Sequence, residues 1–164
     1  MAASDFHDEI HPMPMPWTYR HASREWRGFL DDARDAMGLE TDNLAYTAIQ
    51  GVLQAFRRRL TPQQAIAFAQ VLPTVPRAIF VADWDFAEGP VAPGTRADWT
   101  AEAKALRPDH NLTPDNCVEA TAIALRKSVR RDDLDRVLAT LPCFARDFWH
   151  TPSVDPATLG PRIL

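Results

Sequence analysis

Residues 42–73 read DNLAYTAIQGVLQAFRRRLTPQQAIAFAQVLP, and this stretch decides the fold class. Ala45, Ala48, Ile49, Val52, Leu53, Phe56 and Leu60 recur at three- and four-residue spacing, which is one face of an α-helix. Thr61-Pro62-Gln63-Gln64 then closes that helix and opens the next. Thr61 is suited to cap, Pro62 to sit in a first turn, and Gln64 to complete a capping box. Ala65, Phe68, Ala69 and Leu72 carry the stripe to Leu72-Pro73, where proline drives the preceding residue out of helical geometry.

Working outward, the same period holds on both sides. Trp26, Phe29, Leu30, Ala33 and Met37 predict a helix after Ser23 as N-cap, stopped by Gly38. A short helix is expected over 76–81. Residues 83–98 hold two prolines and two glycines without periodicity and read as a connector. Trp99, Ala103 and Leu106 resume a helix that ends at Arg107-Pro108. Thr113-Pro114-Asp115 opens a longer one carrying Val118, Ala122, Leu125 and Val129. Asp132 caps the next, with Leu134, Val137, Leu138 and Leu141, and Phe144 and Phe148 sit on the last. Prolines punctuate this pattern and never interrupt a long helix.

The two halves echo each other. Trp26, Leu39 and Asp42-Asn43 match Trp99, Leu112 and Asp115-Asn116 at an offset of 73 residues. Leu72-Pro73, Arg77 and Phe80 match Leu141-Pro142, Arg146 and Trp149 at 69, so four residues are missing from the second copy, with the junction after its long helix as the expected place. The expected architecture is all-α: a duplicated three- or four-helix unit packed as one helical-bundle domain. Its parts are an extended arm over 1–22, repeat 1 over 23–82, the connector over 83–98, repeat 2 over 99–149 and a tail over 150–164.

The order FLDDARDAMGL, AYTAIQGVLQAFRRRL, QQAIAFAQVLP, RAIF and DW resembles the uncharacterised bacterial family known as domain of unknown function 2267. The resemblance spans residues 24–86 well and 99–149 more loosely. It implies a helical unit, often duplicated, whose third helix ends in Leu-Pro. Cys117, Thr121 and Ser128 depart from it, standing where larger or more apolar residues are expected. It carries over no catalytic residue.

Composition narrows the function classes. The chain has 164 residues, 18 Lys plus Arg against 22 Asp plus Glu, and a net charge of −4, which argues against a nucleic-acid binder that works by bulk charge. No apolar run approaches a membrane span and no signal-peptide core opens the chain, so a cytoplasmic protein is expected. Six glycines include neither GxGxxG nor GxxxxGK. Two cysteines, Cys117 and Cys143, make no disulfide framework.

Few residues point to chemistry. His7-Asp8-Glu9-Ile10-His11 imitates HExxH, but Asp replaces the required Glu and Pro12 follows at once, so no metal site is expected. Arg57-Arg58-Arg59 and Arg126-Lys127 with Arg130-Arg131 end the two long helices, where cations suit the helix dipole; an RNA, DNA or anionic-lipid contact is the competing reading. Asp31, Asp32 and Asp35 read as a solvated face. Met13, Met15, Trp17 and Tyr19 are apolar contact groups in a segment unable to form its own core, and Trp84 also lies outside the stripes. These five are the candidate partner-binding residues. The expected function is a non-catalytic interaction or accessory subunit that docks onto a larger bacterial protein assembly and carries no cofactor. A ligand binder or enzyme using a pocket between the repeats is the alternative, and nucleic-acid binding through the Arg clusters ranks third.

Overall fold

The computed structural model describes residues 15–110 and 112–161. Nine α-helices and two 3₁₀ turns make up the regular structure among these residues, with no strand. The first half contributes α1 (Trp17–Arg20), α2 (Ala22–Met37), α3 (Asp42–Arg57), α4 (Pro62–Ala69) and α5 (Thr74–Val81). The second contributes α6 (Arg96–Ala105), α7 (Cys117–Ser128), α8 (Arg131–Thr140) and α9 (Phe144–Phe148).

Local chemistry explains the boundaries. Gly38 adopts φ 67° after α2, so that Gly38 and Leu39 N–H groups reach the carbonyls of Asp35 and Arg34. Thr61 and Gln64 form the expected capping box at α4. A second box, Thr95 with Asp98, starts α6 inside the segment read as connector; the irregular chain thus ends at Thr95. The arm differs as well. Its described part is helical from Trp17, and α2 begins at Ala22 after His21 rather than at Ser23.

The two most extensive helix contacts run between the halves: α2 packs on α7, and α3 packs on α6. The first long helix of each half therefore lies on the second of the other. At the α3–α6 crossing, a Cβ on Gly51 would stand 2.5 Å from the Ala103 carbonyl oxygen, so only glycine permits this approach. Phe56 occupies the middle of the core, with ring centroids of Phe68, Phe148 and Trp149 at 4.7, 4.9 and 5.2 Å. Aromatic groups of both halves thus share one interior.

The sequence echo falls on corresponding elements. Arg57 donates to the Phe80 carbonyl at 2.8 Å, and Arg126 donates to the Trp149 carbonyl at 2.9 Å, both partners displaced by the same 69 residues. Helix α3 has 16 residues and α7 has 12. The four missing residues are one turn of α7, and do not come from the junction after it. Because one turn is about 3.6 residues, the loss leaves the buried face of the helix nearly unrotated.

Candidate functional site

Several of the charged residues singled out in the sequence are structural. Arg57 is 6% exposed, and its guanidinium donates to the carbonyls of Phe80 and Ala82, both at 2.8 Å. Arg59 is equally buried; it donates to Ala55 and Pro93 carbonyls and forms a two-pronged pair with Glu102 at 2.7 and 2.9 Å. Burial lowers the Arg57 and Arg126 pKa values, with Asp83 and Asp135 opposing. Burial also presses on the Glu102 carboxyl, but Arg59 and Arg58 prevail and hold it below its ordinary range. Arg77 donates to the carbonyls of Gln70 and Leu72, and Arg96 to those of Asp147 and His150. Arginine side chains thus supply donors that the last carbonyls of α4, α5 and α9 lack within their own helices.

The acidic cluster of α2 divides. Asp31 pairs with Arg27 and Arg34 on the surface, and Asp35 is exposed. Asp32 is buried at 7% exposure, 3.6 Å from Lys127, because α7 covers that side of α2. It is not part of a solvated face. Thr121 and Ser128 each bond the carbonyl four residues back, at 2.8 Å, which lets these polar groups sit within α7. Cys117 is fully buried and burial pushes its thiol up to about 11, the opposite of an activated nucleophile. Cys143 is exposed. No group of three or more His, Cys, Asp and Glu suited to a metal ion occurs among the described residues; His7 and His11 lie outside them.

Exposed large apolar groups are spread over the described residues, with Tyr46, Ile66, Val81, Phe86 and Leu112 at separate places and three close together in sequence at α1. Met15, Trp17 and Tyr19 are 49, 53 and 51% exposed, large apolar groups in alternate positions. The segment is tied down: the Trp17 ring lies 4.6 Å from that of His21, and Thr74 Oγ1 donates to the Thr18 carbonyl. Met13 lies outside the described residues. Trp84 does not join this group. It is half-buried, with the Arg57 guanidinium 5.5 Å over its ring and Phe86 packed edge-on, and lines a separate recess beside Arg58 and Pro62.

Two recesses adjoin α1 and meet at Glu25, Pro73 and Ser128. The smaller, about 220 Å³, is lined by Trp17, Glu25, Phe29, Asp32 and Lys127 among others. The larger, about 550 Å³, is an open trough between the α4–α5 corner and α8. Glu25 is half-buried, its Oε2 is shielded from solvent without a hydrogen-bond partner among the described residues, and burial raises its pKa. Sequence reasoning passed over Glu25, since a lone Glu in the first turn of a helix is ordinary; only the meeting of α1, α2 and α7 marks it.

The fold therefore defines an all-helical domain whose arginines brace its interior and which exposes Met15, Trp17 and Tyr19 at its N-terminal edge. The profile of the family described as "Uncharacterized conserved protein (DUF2267)" matches residues 26–148, and the chain belongs to that family. None of the curated proteins matches it. No helix among the described residues is long and apolar enough to cross a membrane.

Proposed function

We propose that this protein is a non-catalytic interaction module, an accessory subunit that docks onto a larger protein assembly through α1. The observation that carries this reading is the half-exposed set Met15, Trp17 and Tyr19 on a segment anchored to the domain. Solvent-exposed aromatic and methionine groups held in place are the residue types that anchor interfaces, because little side-chain freedom is left to lose on binding. The buried roles of Arg57 and Arg59 take those two residues away from a nucleic-acid reading.

The test is affinity purification from the native host with wild type and with Trp17→Ser/Tyr19→Ser. Neither side chain belongs to the core, so circular dichroism and Tm should hardly change while a co-purifying protein is lost. Retention of the same partner by the variant would overturn the reading. A second reading, a small ligand in the recess beside Glu25, is favoured by the Oε2 there, which has no hydrogen-bond partner among the described residues. Native mass spectrometry of the purified chain would show the ligand as added mass.

A further inference from the structure

The trough beside α1 has an apolar floor and a charged rim. Ala67, Val71 and Leu72 from the end of α4, with Val129 and Val137 across from them, form the floor, and Thr18 of α1 closes one end. Arg77, Arg130 and Arg136 line it together with Glu25 and Asp133. Asp133 accepts a bond from Arg136 at 3.0 Å, so these two charges offset each other. Arg77 is spread over two neutral carbonyls, which leave its charge uncompensated. Arg130 is exposed and has no ion-pair partner among the described residues. Glu25 carries the other carboxyl, so three arginines face two acidic groups. A chain of net charge −4 therefore carries a locally cationic trough with a hydrophobic base.

We propose that this trough takes an acidic amphipathic helix of a partner protein, its apolar stripe on Val71, Val129 and Val137 and its carboxylates against Arg77 and Arg130. The inference rests on the interaction-module reading and adds the surface and the partner's chemistry. A helix laid in a groove uses both features at once: apolar anchors supply the burial, and rim charges steer the approach and set the register. A phosphate backbone would satisfy the arginines and leave the floor uncovered.

The experiment selects phage-displayed helical peptides on the full chain and measures recovered peptides by fluorescence anisotropy. Recovered peptides should carry apolar residues at i, i+3, i+4 and i+7 flanked by Asp or Glu. Arg130→Glu should weaken them about tenfold or more, and about 0.5 M salt should weaken them on wild type. Arg130 is the N-cap of α8, where an acidic group suits the helix dipole, so this variant keeps its fold. Arg107→Glu, exposed and outside the trough, should leave binding unchanged.

Recovery of no peptide, of peptides without acidic flanks, or of peptides indifferent to Arg130→Glu would overturn the inference. So would competition by a duplex oligonucleotide as strong as that by the peptides. Peptide binding that survives Trp17→Ser/Tyr19→Ser supports the trough, and the native-host purification then decides separately whether the α1 ridge has its own role.

Discussion

Arg57-Arg58-Arg59 and Arg126-Lys127-Ser128-Val129-Arg130-Arg131 look alike on paper, though the second runs past the end of α7 into the start of α8. In the folded chain they divide their labour differently. The first is drawn inward: Arg57 closes α5, Arg59 grips Glu102 and the connector carbonyl of Pro93, and Arg58 adds a contact to Glu102 at 3.1 Å. The second begins the same way, with Arg126 on the Trp149 carbonyl, and then releases Arg130 to the surface. A run of like charges is therefore not one feature. Arg57 and Arg126 lie in the last turns of α3 and α7, whereas Arg130 lies beyond α7 as the N-cap of α8, and what each meets decides whether it braces the fold or stays at the surface.

Substitutions can press on this contrast. The largest effect is expected for Arg59→Ala, which leaves the half-buried Glu102 with only the exposed Arg58 and leaves two carbonyls without a donor. A loss of about 3–5 kcal/mol is expected in urea unfolding, as for other broken buried ion pairs. Arg57→Lys comes next. An ammonium lacks the planar fork, so one of the two carbonyls loses its partner at a cost of about 1–3 kcal/mol. Arg126→Lys should cost less within that range, since Arg126 serves a single carbonyl. Equal effects at the two positions would break the comparison.

A pH series separates charge from packing at Glu102. Its carboxyl is held below the ordinary 4.5 in the folded state, so its stabilisation is present above that value and is lost as pH falls through the folded pKa. Glu102→Gln should be less stable than wild type at pH 7, and the two should converge as the medium becomes acidic. Glu25 behaves oppositely. Its raised pKa makes the charged form a burden above 4.5, so Glu25→Gln should raise Tm at pH 7 and lose that advantage in acid. The smallest effect is at the far end of the second cluster. Arg130→Glu should move stability by no more than about 0.5 kcal/mol, in either direction.

How much of this was legible in the sequence depends on what each signal reports. Helical stripes and Leu-Pro stops mark α2 to α5 and α7 to α9 because burial and proline geometry act locally. Helix α1 escaped because three alternating prolines dominate the reading of its neighbourhood, although the run of residues after Pro16 is free to coil. The start of α6 escaped because Asp98 stands where a capping box ordinarily has Glu or Gln. The missing turn of α7 was placed one element too late, since a four-residue step preserves the apolar face. Glu25, the burial of Asp32 and the trough were beyond reach. Each is created by helices distant in sequence, and no pattern within one helix encodes them.

Interlocking of the halves bears on how the chain can be divided. Proteolysis within 87–90, an exposed stretch of the connector, would sever the backbone where little is buried. The two fragments would nevertheless stay together, joined through α2 on α7 and through the glycine-close crossing of α3 on α6. Pulled apart in denaturant, neither would retain a covered interior, because Phe56 on one and Trp149 on the other would each lose ring neighbours. Mixed again, they should regain helicity with second-order kinetics. In that sense the single chain is a heterodimer with its subunits tied end to end.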